Sequence, residues 1–391
     1  MSGREINESA GTQRLAMVFP GQGGQTPGMG RALVAAYPQA RRRLAELSCV
    51  VDADLEALLC GDALERDPVS VHLAMVSFGL LAWEWLTRVH GLRPALLAGH
   101  SLGEITALAC AGALGTDDAM RLAAARGRCL AEACAQRAGG MTAFVGAPLD
   151  RMRADIRHWI ETTGCDDLWI VNLNGPRQLV VAGDAARLKA LEAAMNPLGL
   201  RAVPLATAGA FHTPFMRPAA VELASFLRTI PFAPFQTPVV SSMTGRLLLC
   251  HESLASHLAL QVVRPVLWLE TMHFLRRAQT THVVEAGPGK GVLVSLARGI
   301  GEHHPVSTQF GVQSGDAFQV QLGQGRRGDG ARRQHPRLLG RAGEGAVARV
   351  DEQNDRLVLE LRQLEFNDSA VAKIDAARPV PVLVEEAAVP L

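Results

Sequence analysis

The run from Ala95 to Gly103, Ala-Leu-Leu-Ala-Gly-His-Ser-Leu-Gly, limits the fold more than any other part of this 391-residue chain. Ala95 to Gly99 reads as a short apolar strand, and Leu102 to Gly112 reads as a helix. The junction, Gly99-His-Ser-Leu-Gly103, has the G-x-S-x-G form of a nucleophile elbow. A serine on such a tight turn projects its hydroxyl above the sheet edge. The flanking glycines let the backbone pass closely. An elbow of this kind needs a mostly parallel sheet with helices packed against it, so an α/β fold is expected.

The surrounding sequence fits. Leu15 to Phe19 reads as a buried strand running into the glycine loop Pro20-Gly-Gln-Gly-Gly24. Leu73, Val76, Leu80 and Leu81 recur at helical spacing within Val69 to Val89, and Gly91 and Pro94 end that helix. A further helix is expected from Asp117 to Cys134, with Thr116 as its N-cap. After Gly139-Gly140 the order becomes β-α-β-β-α-β. The strands are 141–145, 168–173, 178–182 and 201–205, the helices 149–161 and 184–196, and a hairpin turn lies at 174–177. That order suggests a ferredoxin-like small domain inserted into an α/β-hydrolase-like large one. The large domain resumes near Phe211, with helices at 218–229 and 268–278 and strands at 239–241 and 282–285. Gly287-Pro-Gly-Lys290 then turns into a helix over Val292–Arg298. The expected division is 15–138, 139–207 and 208–313. Residues 314–391 form a largely disordered linker and tail, with one amphipathic helix over Asp355–Phe366.

Composition removes several function classes. Lys+Arg is 39 and Asp+Glu is 38, so the net charge of +1 is far too small for bulk electrostatic binding of nucleic acid. With 48% hydrophobic residues the chain is too apolar to be disordered throughout. Its 7 cysteines are odd in number and lack C-x-x-C spacing, which argues against a disulfide framework or structural zinc and for a reducing compartment. Met1 to Arg14 lacks a signal-peptide layout. His100, Ser101 and Glu104 interrupt the most apolar stretch, Ala95–Leu114, so no membrane span is expected. The expected setting is the cytoplasm.

Ser101 needs a base near neutral pH, and histidine is the usual one. Of 12 histidines, His212 stands at the return from the small domain, in Gly209-Ala-Phe-His-Thr-Pro-Phe-Met216, where Phe211 and Phe215 would fence it from water. His303, His304 and His335 lie near or in the tail and read as solvated. The backbone N–H of Leu102, at a helix N-terminus, can donate to an oxyanion. A second donor should come from the Gly21-Gln-Gly-Gly24 loop if the two strands are neighbours.

Together these residues resemble the malonyl-CoA:acyl carrier protein transacylase family, from about Leu15 to Ile300. The motifs that carry the resemblance are Phe19-Pro-Gly-Gln-Gly23, Gly99-His-Ser-Leu-Gly-Glu104, Ala125-Arg-Gly127, Asn172-Leu-Asn-Gly-Pro-Arg-Gln178, Ala210-Phe-His212 and Glu285-Ala-Gly-Pro-Gly289. The resemblance implies that Ser101 takes the acyl group and that His212 acts as base and then acid. The backbone carbonyl of Gln261 would orient His212, and the amides of Gln22 and Leu102 would form the oxyanion hole. Arg126 would hold the free carboxylate of malonyl. Its flat pair of donors suits a carboxylate that must enter a partly dry pocket. Phe211 would crowd a 2-methyl branch, which favours malonyl over methylmalonyl.

Gly209 and Val263-Arg264-Pro265 depart from the family pattern. Malonyl-CoA is then a substrate and an acyl carrier protein the acceptor, with no metal and no redox cofactor. For the Arg-rich tail three readings stand open: an aid to carrier docking, a tether to other polyketide synthase modules, or non-native reading-frame sequence. Lys290, Arg264 and Arg298 are candidates for docking an acidic carrier. Two other readings share these residues: a hydrolase that clears stalled acyl carriers, and a non-catalytic carrier-docking scaffold.

Overall fold

The computed structural model describes residues 14–62, 67–249, 254–288 and 292–296, and the backbone of four later strands. In chain order the first elements are β1 (Leu15–Phe19), α1 (Arg31–Ala36), α2 (Ala40–Val51), α3 (Leu55–Cys60), α4 (Pro68–Glu84), β2 (Leu96–Gly99), α5 (Gly103–Cys110) and α6 (Thr116–Gln136). There follow β3 (Gly139–Val145), α7 (Leu149–Thr163), β4 (Leu168–Gly175), β5 (Gln178–Asp184), α8 (Ala185–Met195) and β6 (Arg201–Pro204). The remainder is α9 (Arg217–Leu227), β7 (Val239–Val240), α10 (Leu254–Gln261), α11 (Trp268–Arg277), β8 (His282–Ala286), α12 (Val292–Leu296), β9 (Val306–Gly311), β10 (Gln319–Gly323), β11 (Val347–Asp351) and β12 (Arg356–Glu360).

This is an α/β fold with a parallel sheet and a separate antiparallel sheet. The first sheet has the order β10-β9-β8-β1-β2-β7, parallel throughout except for the edge strand β10. β1 is apolar along its length because both faces are covered, as parallel strands require. Met17 and Phe19 enter the cluster formed with α4, α5 and α6, while Ala16 and Val18 pack with Trp268 of α11. The second sheet has the order β4-β5-β3-β6 with every neighbour antiparallel. Its strands alternate with period two. Leu179 and Val181 face α7 and α8, whereas Val180 and Ala182 join the core of the first sheet. The two sheets therefore share one apolar core.

Helix α4 is buried nearly all round, between the first sheet and its neighbouring helices. Among the described residues, Pro68–Val89 is the one helical stretch long and apolar enough to cross a bilayer, and 83% of its most apolar 18-residue window is buried inside the protein.

Some expectations need correcting. Thr116 does not cap α6: Gly115 occupies the cap position, and the Thr116 hydroxyl instead accepts a hydrogen bond from Arg43 Nη2 at 2.8 Å. The helix expected over Asp355–Phe366 is, where described, the strand β12, paired antiparallel with β11. The short apolar run Leu-Val-Leu within Arg-Leu-Val-Leu-Glu fits either element by period, and pairing with β11 makes it a strand. β10, β11 and β12 all fall in the segment expected to be linker and tail, and the rest of that segment lies outside the described residues. Helices α1, α2, α3 and α10 and strand β9 had no counterpart in the sequence reading.

Glu104 ties the elbow helix to the later chain. It is fully buried on α5. Its Oε2 accepts from the backbone N–H of Ser242 at 2.8 Å and from the Ser242 hydroxyl at 2.9 Å. Its Oε1 accepts from His257 Nε2 on α10. Removing the carboxylate would strand three buried donors. Glu104→Ala is therefore expected to cost about 3 kcal/mol. The loss should appear as a lower urea midpoint with an unchanged slope; an unmoved midpoint would show that the tie carries no stability.

Candidate active site

The register of β1 against β2 builds the floor of the site. Phe19 pairs with Gly99, so the loops that leave both strands emerge side by side at their carboxyl ends. The His100 amide donates to the Phe19 carbonyl at 2.9 Å, which joins the two loops directly. Ser101 sits at the turn with φ of 51°, a left-handed conformation that costs energy for a side-chain-bearing residue. Gly99 and Gly103 make the turn possible. A Cβ on Gly99 would lie 2.1 Å from the Gly103 carbonyl carbon, and one on Gly103 would lie 2.1 Å from the Phe19 oxygen. Leu102 is the cap residue of α5. Among the described residues no hydrogen bond engages the amide of Leu102 or that of Gln22.

His212 reaches Ser101 from a distant part of the chain. Its Nε2 lies 2.8 Å from Ser101 Oγ. Its Nδ1 faces the carbonyl oxygens of Gln261 at 2.9 Å and Arg264 at 3.0 Å. Carbonyls only accept, so Nδ1 carries the proton and Nε2 presents a lone pair to the serine hydroxyl. The His212 amide donates to Val262 at 3.1 Å, fixing the backbone, whose φ is 64°, to the same segment. Burial and, after it, the positive charge of Arg126 push the imidazole down to about 3. His212 is thus neutral and ready to accept a proton at any physiological pH.

Arg126, on α6, is 4% exposed. Its Nη2 donates to Ser101 Oγ at 3.1 Å, and its Nη1 donates to His72 Nε2 at 3.2 Å. Its Nε is buried without a partner. Burial pulls this guanidinium down to about 10, opposed by the negative charge of Glu104, so it remains protonated at neutral pH. Arg126 is thus a buried cation with an unfilled donor beside the Ser101 hydroxyl, an arrangement whose chemistry suits an anion.

The structure thus brings together Ser101, His212, Arg126 and the Gln261 carbonyl, with the Gln22 and Leu102 amides on the adjoining loops. Phe211 is buried beside His212 in sequence. Phe215 lies under the Arg137 guanidinium, 3.8 Å from the ring centre, and against the edge of Trp169. Gly209 is explained by Cys134, whose Sγ would be 2.4 Å from any Cβ there. Arg264 is exposed, while Lys290, Arg298, His303, His304 and His335 lie outside the described residues.

Sequence reasoning missed three participants. The Arg264 carbonyl is one, and nothing in a sequence marks a carbonyl. His100 is another: its Nε2 meets Asn174 Oδ1 at 3.0 Å, joining the elbow to the antiparallel sheet. The third is His72, whose one visible signal is being a histidine inside an apolar helix.

Comparison with known proteins agrees with this geometry. The family described as acyl transferase domain matches residues 16–314. The malonyl CoA-acyl carrier protein transacylase of Salmonella typhimurium is 35% identical over 291 residues, covering 73% of this chain and 93% of that protein. The polyketide biosynthesis protein ThaF of Burkholderia thailandensis is 36% identical over 296 residues, 75% of this chain but 24% of that protein. A malonyl-transacylase solved in complex with its type II PKS acyl-carrier protein superposes with a TM-score of 0.71 at 32% identity, covering 77% of this chain and 96% of that one. Elbow, base, buried arginine and a match that runs through both sheets lead to one assignment: the chain belongs to the acyl transferase domain family, in its malonyl CoA-acyl carrier protein transacylase group.

Proposed function

We infer that this protein is an acyltransferase that moves a malonyl group from malonyl-CoA to the phosphopantetheine thiol of an acyl carrier protein, in fatty-acid or polyketide synthesis. The observation that carries the reading is the buried Arg126 guanidinium with an unpaired Nε, set 3.1 Å from the serine hydroxyl. The malonyl carboxylate pairs with Arg126, which places the thioester carbonyl at Ser101. Ser101 Oγ forms a bond to that carbon while its proton passes to His212 Nε2. The oxyanion rests on the amides of Gln22 and Leu102. When the tetrahedral intermediate collapses, the C–S bond breaks and His212 returns the proton to the departing sulfur of CoA. A malonyl-serine ester remains. The carrier thiol then attacks it, with His212 as base again, and the serine is regenerated.

The electrostatics favour the right substrate. Arg126 holds the free His212 down, so a carboxylate bound at Arg126 cancels that effect and makes His212 a stronger base. Phe211 narrows the pocket against a branched acyl group. The chain's own side chains supply nucleophile, base and anion site, and we assign no metal or redox cofactor to the reaction. We further read the β3–β6 unit as a ferredoxin-like insert in an α/β-hydrolase-like large unit, on its βαββαβ order and its strand order β4-β5-β3-β6. The described cysteines are free thiols, which supports a reducing, cytoplasmic setting.

Mixing the protein with malonyl-CoA should add one malonyl mass to the intact chain, and Ser101→Ala should abolish it; an adduct that survives the substitution sinks the serine assignment. Arg126→Ala should lower malonyl loading by about 10²–10³-fold, the cost of removing one partner of a buried charge pair, and acetyl loading by less than about tenfold. Equal losses would take Arg126 out of the pocket. Because His212 protonates only as pH falls toward 3, kcat/KM for serine acylation should show no acid limb between about pH 5 and 7. A limb centred near the ordinary histidine value of about 6.5 would overturn the neutral-base assignment.

A further inference from the structure

We propose that His72 is a positioning residue that sets acyl-group specificity, by fixing Arg126 in the pose that receives a carboxylate while leaving its charge uncompensated. The inference rests on the malonyl reading above and adds to it a residue outside the reacting groups.

The argument begins with proton placement. His72 lies on α4 and is fully buried. Its Nδ1 faces the Ala123 carbonyl at 3.3 Å, and its Nε2 faces Arg126 Nη1 at 3.2 Å. A carbonyl can only accept and a guanidinium can only donate, so Nδ1 carries the hydrogen and Nε2 is the acceptor. His72 is therefore neutral. Burial, followed by the charge of Arg126, keeps it so by lowering its basicity well below the ordinary range.

A neutral acceptor does something a carboxylate cannot. It satisfies Nη1 and restrains the guanidinium plane, yet it neutralises nothing. Among the described residues no carboxylate forms an ion pair with Arg126. Glu104 acts on Arg126 only through space, because its oxygens are held by Ser242 and His257. The full positive charge thus waits for an anion.

The contact also decides which edge of the guanidinium waits. All three guanidinium nitrogens lie in one plane, and Nε and Nη2 share an edge of it that excludes Nη1. His72 occupies Nη1, Nη2 reaches Ser101, and Nε has no partner. The Nε–Nη2 edge is the fork that grips a carboxylate with two parallel hydrogen bonds. With His72 in place that fork is presented at the nucleophile. Without it, rotation of the guanidinium would be limited by Ser101 alone.

The helix packing is arranged for this contact. Gly127, next to Arg126, lies against the first turn of α4, where a Cβ would come within 2.7 Å of Val69 Cα. The close approach of α6 to α4 brings His72, one turn further along α4, within reach of the guanidinium.

The test compares malonyl-CoA and acetyl-CoA as donors on the same preparation of full-length protein, by rates of serine acylation. Their ratio cancels any change in the fraction of folded enzyme. His72→Ala is expected to lower the malonyl-to-acetyl ratio of kcat/KM at least tenfold, chiefly through the malonyl KM. His72→Glu, which places a counter-ion on Nη1, should lower it at least a hundredfold. His72→Gln, whose amide oxygen can accept from Nη1, should return it to within about fivefold of wild type. A ratio within threefold of wild type in both His72→Ala and His72→Glu overturns the role of His72. A wild-type enzyme that loads the two groups equally overturns instead the malonyl reading beneath it.

Discussion

One hydroxyl is held from two sides, and the rest of the molecule serves that arrangement. Ser101 Oγ lies 2.8 Å from a base that can take its proton and 3.1 Å from a guanidinium that can only donate to it. Serine, histidine and arginine arrive on three separate segments, and each is fixed by something other than the hydroxyl. The elbow is set by backbone contacts too tight for any side chain at Gly99 or Gly103. The histidine is set by three hydrogen bonds to the 261–264 segment. The arginine is set by a helix pressed against α4. Such independent anchoring keeps reacting groups in place without relying on one another.

Histidine and arginine are buried close together, and among the described residues no carboxylate bonds to either. The usual way to house a buried cation is to pair it with an anion. Here the acid that could do so, Glu104, is engaged with Ser242 and His257 and faces the later chain. Its negative charge helps keep Arg126 protonated without filling the space where an anion would bind. Holding that charge uncompensated costs stability, a cost that a carboxylate bound there, as the proposed function has it, would relieve. The oriented carbonyls behind His212 follow the same logic. They fix its tautomer without adding a negative charge that would compete for Arg126.

The parts of this site that sequence revealed are those that local chemistry dictates. The elbow was legible because a glycine pattern, an apolar strand and a helix stood in a row. The antiparallel unit was legible because its hydrophobic period changed from helical to alternating and back, and its neighbouring strands do pair antiparallel in a sheet of their own. Arg126 was legible only through resemblance, since nothing near Ala125-Arg-Gly127 announces a pocket, whereas His212 was marked by its place at the return from the small unit, between Phe211 and Phe215. His72 escaped because its meaning depends on a contact 54 residues away. The strand β12 escaped because a short segment such as Arg356–Glu360 suits either period, and pairing with β11 decides it.

The common core of the two sheets has a mechanical consequence. Val180 and Ala182 of the antiparallel sheet are packed into the interior of the parallel one, and His100 fastens the elbow to Asn174 on the same side. A smaller unit built in this way is a wall and not a door: swinging it outward would tear open the interior. A thioester donor and a thiol acceptor would then have to reach the serine with that wall in place. Their own flexibility, more than any closing motion of the protein, would gauge which of them arrive.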